Sequence, residues 1–589
     1  MKFIFLVLFI FFSNFILANE ENNNEIEVIN LHESDSLDKL VLENLNKKEL
    51  EKETENTLED SKENNEVQTN VTDVKQIEIV KDSFIYKEEI ENLQNYFENL
   101  KKINSKILQK QIIEFLESLQ LNLEIEQDKE LFFLIVNYFN SNGQINKSYD
   151  LIEKYDLNNV INIDFYTELK LNYLLSTFQL DEACSFKEDL NSDIKLDYYF
   201  LEKLDIFCLI LSDNQSEASL LNSILVESEI DLDDYYQYLF LLISNSPDQI
   251  SVNKEINNSE INKELIFLYS AMTRIAELPF SHDFYEIDKK NLSIPIILNQ
   301  ASPIDLRIKA ANESFLESLI NVDSLAALYM SADFNSDQLN NPNETIELLS
   351  DNTEMSMAFL FQLVNIQIFP NDRLKILIKF WDFAKKNNLE EIAYKLSFNM
   401  LGSIEATSEN IKYGPQIALA YIFNKDFESA VKWIELYENA KDIDSKSIYS
   451  RILLDLYSSD DLKTFINSLN LTLNTYTSNQ DIQNVELLYV LKAVMNLDIK
   501  FKTKINLNNI FDDRTIPSIF LFDEINKSIL NKDDEKFLFY SLISLNNKDW
   551  KDIHPEHLKL ILTGYLQYKD GVLFRNIILE VLKNYKFII

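Results

Sequence analysis

Three small residues, Ser148, Ala183 and Ala218, recur at a spacing of 35, each early in a predicted helix. The stretches "ELFFLIVNYFNSNGQINKSYDLIEKY" (130–155), "FYTELKLNYLLSTFQLDEACSFKEDL" (165–190) and "DYYFLEKLDIFCLILSDNQSEASLLNSILVE" (197–227) surround them. Each carries apolar residues at i, i+3, i+4 and i+7 on both sides of a short polar break, which reads as helix, turn, helix. A small side chain at the same place in each second helix lets paired helices approach closely. Spacing and periodicity together therefore predict an array of helical hairpins. The form returns at 372–401 with Ala384 and Ala393, at 413–440 with Ala418, Tyr421 and Ala430, and at 554–585 around Gly571.

A two-helix unit of 34–35 residues resembles the tetratricopeptide arrays, most closely in "YGPQIALAYIFNKDFESAVKWIELYENA" (413–440). The resemblance implies an all-α fold, an α-solenoid of roughly 22–28 helices whose groove takes a partner. The order "DEAC", "FC", "LSDNQSEASLL", then "RIKAANESFLESLINVDSLAALYMSADF", then "HPEHLKLILTGYLQYKDGVLFRNIILEVL" also resembles a group of secreted, all-helical bacterial proteins. Some of these carry the label antifreeze glycopeptide polyprotein. The chain shows no regular Thr-rich array that would make a flat ice-binding face.

Only five glycines stand among 589 residues, which predicts few left-handed helix caps and no phosphate-cradling loop. Acidic residues number 97 against 55 basic ones, a net charge of −42. Nucleic acid is excluded on that balance, because phosphate binding needs a basic surface.

The start, "MKFIFLVLFIFFSNFILANE", places Lys2 before an apolar run from Phe3 to Leu17 and ends it at the small Ala18. A run of about 15 residues is shorter than the roughly 20 of a spanning helix, and the layout is that of a secretory signal over 1–18. The expectation is an exported, periplasmic protein without stable membrane insertion after cleavage; an uncleaved signal would instead leave an inner-membrane anchor. Residues 19–82 are rich in Glu, Asn and Lys and lack aromatics, which predicts a disordered acidic leader with a helix-prone stretch at 37–52. An N-terminal helical-repeat lobe is expected over 83–278 and a C-terminal one over 304–589. Between them, 279–303 holds three of the nine prolines and loses helical periodicity, so a joint is expected there.

Cys184 and Cys208 are the only cysteines. Cys184 lies early in a second helix and Cys208 late in the next first helix, and consecutive helices run antiparallel. With the turn near 193 the two differ in height by about 9 Å, which a long connector absorbs. In an oxidising compartment they are expected to form a disulfide between adjacent hairpins. No C-x-x-C is present, and two cysteines without a neighbouring histidine are too few for zinc. "HPEH" holds His554 and His557 three apart, but Pro555 and Glu556 mark it as a helix start. "ANESF" offers Glu313 and Ser314, the pair that lytic transglycosylases use. The motif that should follow is replaced by "SLAALYMSADF", so Glu313 is expected on a solvated helix face. The acidic "DLDDYY" (231–236) is too short to define a site, and "DIDSKSIYSRIL" (442–453) lacks the glycine and terminal glutamate of a calcium loop.

No catalytic, metal or cofactor residue is therefore predicted. The expected function is a non-enzymatic scaffold or adaptor binding a protein or envelope polymer through its helical-repeat groove. The alternatives are an accessory factor or carboxylate-based enzyme acting on cell-wall glycan, and a purely structural envelope protein.

Overall fold

A computed structural model describes residues 83–100, 104–155, 157, 160–191, 194–228, 233–244, 261–441, 444–458, 462–476, 482–497, 512–514, 516–568 and 571–585. The signal (1–18), the leader (19–82) and the helix-prone 37–52 lie outside them. The described residues form twenty-eight α-helices and a few single 3₁₀ turns, with no strand among them.

Nine helix ends among the described residues share one geometry. In each, an amide bonds the carbonyl five residues back: Gln144 to Phe139 (2.9 Å), Gln179 to Leu174 (2.9 Å) and Asn214 to Leu209 (2.8 Å). Leu278, Leu319, Leu389, Asp426, Leu497 and Asp533 donate in the same way. The residue just before each donor is left-handed: Gly143, Phe178, Asp213, Glu277, Ser318, Asn388, Lys425, Asn496 and Lys532. This is the Schellman closure, which satisfies carbonyls that a helix end would otherwise leave without partners.

The expectation of few left-handed caps is thus corrected, since eight of the nine positions carry a side chain. A side chain in that conformation costs only about 1–2 kcal/mol, and the closure and the packing beyond it offset the cost. Gly143 differs because a Cβ there would fall 2.2 Å from Lys290 Cβ. Five residues past the left-handed position come Ser148, Ala183, Ala218, Ala393 and Ala430, every one fully buried. The 35-residue spacing of the small residues is therefore the spacing of the turns Gly143, Phe178 and Asp213.

One hydrophobic core runs from Ile145 to Leu454 without a break at 279–303. That stretch, expected to lose helical order, forms the helices His282–Ile287 and Lys289–Leu298. Ser281 and Asp288 cap them, accepting from Phe284 N (3.1 Å) and Asn291 N (3.2 Å). Pro295 sits inside the second helix, where it removes a single backbone bond, and the Arg307 side chain donates to the Ile297 carbonyl (3.0 Å) at its end.

A second core joins the two ends of the described chain, combining Phe84–Leu169 with Ile448–Tyr585. Phe539 meets Phe84 (5.3 Å between ring centres) and Phe115 (5.5 Å), and Tyr540 meets Tyr96 (6.0 Å). Ser105, which caps the helix Lys106–Glu117, donates its hydroxyl to Glu580 (2.7 Å) in the helix Gly571–Asn584. Burial pushes the Glu580 carboxyl up, and donors from Ser105, Trp550 and the Lys106 backbone oppose that shift. Helix-to-helix packing therefore runs in a closed circuit. It passes from Ile163–Ser176 through Ile266–Ile275, Lys289–Leu298, Ile304–Leu316 and Glu390–Leu401 to Gly414–Phe423 and Ser445–Ser458, and returns through the seam.

Two equivalent turn positions are expected to respond with opposite sign. Lys425→Gly removes left-handed strain at an exposed turn and should stabilise by about 0.5–1 kcal/mol. Gly143→Asn keeps a residue tolerant of positive φ but drives a Cβ into Lys290, and should destabilise by about 1–3 kcal/mol. Urea denaturation of both variants checks the pair.

Candidate interaction surface

The sequence "NIQIFPNDR" (365–373) carries three large apolar residues that no helical period explains. Helix Thr353–Ile366 ends here, and Pro370 opens helix Pro370–Lys386 from its first position. Gln367 (φ −75°, ψ 119°) and Phe369 (φ −84°, ψ 124°) are extended, as a residue preceding proline prefers to be. Arg373 folds back to fix the turn, donating from Nε (3.1 Å) and Nη2 (2.6 Å) to the Gln367 carbonyl and from Nη1 to Ser403 Oγ (3.2 Å). Ile368 is left 83% exposed and Phe369 69% exposed on a clamped turn, with Ile366 half-exposed beside them. Leu374, Leu377, Phe380 and Trp381 of the same helix are buried, so the helix faces the core and presents the tip outward. Burying an Ile or Phe side chain is worth about 1.5–3 kcal/mol. Ile516, Ile519 and Phe520 form a second exposed apolar group, and clustered exposure of this kind marks a candidate contact surface.

The residues singled out from sequence fall elsewhere. Cys184 and Cys208 lie at disulfide distance with Cα atoms 5.7 Å apart, on helices Leu180–Glu188 and Tyr198–Leu211. A Lys187–Asp205 ion pair spans the same two helices. His554 caps helix Pro555–Gln567, accepting from Glu556 N through Nδ1 (3.2 Å). His557 is buried against Ser544 Oγ (2.8 Å), and burial followed by the neighbouring His554 pushes its imidazole down to about 4.

Glu313 departs from the expected solvated face: it is half-buried and accepts from Tyr285 OH (2.8 Å), which also meets Ser293 Oγ (3.2 Å). Ser314 is buried in the core and has no access to a substrate. Next to them Glu286 is held below the usual carboxylate range by Lys289 (2.7 Å) and Lys309 (3.0 Å). That is the wrong charge state for a general acid. Within "DLDDYY", Asp233 pairs with buried Lys203 (2.9 Å), accepts from Tyr269 OH and caps Tyr236 N (3.0 Å). Asp444 of "DIDSKSIYSRIL" caps its own helix through Ser447 N (2.9 Å) and accepts from Tyr437 OH (3.0 Å); 442 and 443 lie outside the described residues. Each of these groups is a fastener within the fold. Among the described residues no cluster of three or more His, Cys, Asp or Glu is arranged for a metal ion, and no helix is long and apolar enough to cross a membrane.

The tip escaped sequence reading because its signal is negative. Ile366, Ile368 and Phe369 sit beside two strongly periodic helices, and only the proline and the break in period separate them from core residues.

Two fasteners give measurable outcomes. Reducing the Cys184–Cys208 bond should lower stability by roughly 3–4 kcal/mol, read from the urea midpoint with and without reductant, and Cys184→Ser with Cys208→Ser should abolish the difference. His557 binds a proton more readily unfolded than folded. Its share of stability is therefore full above pH about 6.5 and is lost as pH falls towards about 4, by up to about 3 kcal/mol. His557→Gln should flatten that part of the stability–pH curve.

Compared with known proteins, the chain matches no family model, no curated protein and no solved structure.

Proposed function

We propose that the protein is an exported, non-enzymatic scaffold that binds a protein or envelope polymer through the surface built around Ile366, Ile368 and Phe369. The observation that carries this reading is the outward display of Ile368 and Phe369 on a turn clamped by Arg373. Export rests on the charged and apolar pattern of residues 1–18. The tetratricopeptide resemblance supports a binding role, as stacked hairpins commonly present partner surfaces. With the chain ends joined at the seam, a projecting tip takes the place of the open groove that an unclosed solenoid would offer.

The runner-up is a carboxylate-based enzyme on cell-wall glycan. It is supported by Glu168, whose carboxyl is raised by desolvation and then by the charges of Glu264 and Asp197. Loss of glycan cleavage in Glu168→Gln would favour it.

The direct test compares the wild type with the double variant Ile368→Asp, Phe369→Asp in affinity capture from an envelope fraction. Both side chains are exposed, so thermal stability should stay within about 0.5 kcal/mol of wild type. A specific partner should be captured by the wild type and lost in the variant. Capture of the same partner by both proteins would remove this surface from the account.

A further inference from the structure

Helix Pro370–Lys386, directly behind the tip, differs in charge from the rest of the chain. It carries Arg373, Lys375, Lys379, Lys385 and Lys386 against Asp372 and Asp382, five positive charges to two negative, in a chain of net charge −42. No other described helix has so large a positive surplus. Lys375, Lys379, Lys385 and Lys386 are all exposed, Lys375 pairs with the exposed Asp372 (3.0 Å), and Lys379, Lys385 and Lys386 carry the surplus beside the exposed Asp382. An apolar tip beside a basic helix face suits a ligand that alternates acidic and apolar groups.

The chain itself carries such a segment. Residues 20–35, "EENNNEIEVINLHESD", hold six acidic residues and no Lys or Arg, with Ile26, Val28, Ile29 and Leu31 interleaved. We infer that residues 20–35 dock in cis on the tip formed by Ile366, Ile368 and Phe369 and on the basic face of helix Pro370–Lys386. This rests on the tip being a binding surface, as proposed above. The tether between 35 and Phe84, where the chain enters the seam, is 48 residues long. By random-coil scaling 48 residues reach about 35–40 Å, against a radius of gyration of about 23 Å for a folded unit of some 500 residues. Tethering presents the segment at roughly millimolar effective concentration, which favours it over a second copy or a free peptide. Docked there, the segment covers the surface an external partner needs, so the partner must displace it.

The test replaces Phe369 with the photocrosslinker p-benzoylphenylalanine in the full chain and maps crosslinked peptides by mass spectrometry. The expected result is a crosslink to residues within 20–35 in monomeric protein. Its yield should fall several-fold between about 0.05 M and about 0.5 M salt, as screening predicts. Changing the six acidic residues of 20–35 to their amides should lower the yield to a similar degree. A dimer-sized product, crosslinks confined to other segments, or a yield indifferent to both salt and amidation would overturn the inference. Partner capture that depends on Ile368 and Phe369 without a crosslink to 20–35 would keep the binding surface and remove this occupant. A crosslink to 20–35 with no partner captured would keep the occupant and remove the scaffold role.

Discussion

The hairpin turn is the constraint on which the rest of the structure depends. One residue takes a left-handed conformation, the next amide closes a ring onto the carbonyl five residues back, and at five of the nine positions a small buried side chain follows five residues after the left-handed one. The closure fixes the angle at which the second helix leaves, and the small residue sets how closely it returns. Phe178 with Ala183, Asp213 with Ala218, Asn388 with Ala393 and Lys425 with Ala430 are four versions of one device. Conformation recurs where residue type does not, and glycine is kept at Gly143, where Lys290 leaves no room for a Cβ.

Stacking such hairpins leaves an unpartnered face at each end, which repeat proteins commonly cover with capping units. Here the ends cover one another. Phe84, Tyr96 and Phe115 from the start of the described chain interlock with Phe539 and Tyr540 near its end, and Ser105 places its hydroxyl on the half-buried Glu580 carboxyl at the head of helix Lys106–Glu117. A carboxylate at a helix N-terminus is favoured by the helix dipole, which helps to explain how a half-buried acid is tolerated there. The turn carrying Ile368 and Phe369 lies away from this seam and leaves both side chains exposed.

The all-α class, the hairpins around Ser148, Ala183, Ala218, Ala393 and Ala430, and the nearness of Cys184 to Cys208 were legible from apolar periodicity and the 35-residue spacing. What was not legible has physical causes. Pairing of Phe84 with Phe539 joins residues 455 positions apart, and periodicity reports only which face of a helix is apolar. Pro295 suggested a break, yet caps from Ser281 and Asp288 and the Arg307 donor hold helices across it. Scarce glycine suggested few left-handed turns, but open space at Lys425 or Asp213 lets ordinary residues adopt them. Glu313 read as solvated because Tyr285, its partner, comes from another helix 28 residues earlier. Ile368 and Phe369 were not legible as exposed because composition alone does not say which way a clamped turn points.

The central structural claim is that helix packing closes on itself where the two ends of the described chain meet, and closure at the seam is its most exposed point. Electron–electron resonance between spin labels at Glu98 and Asp523, surface positions on helices Ile90–Leu100 and Ile519–Asn531, measures it directly. A closed circuit predicts one narrow, short distance distribution that broadens only with global unfolding. A broad or long distribution under native conditions would show an open superhelix and contradict the account.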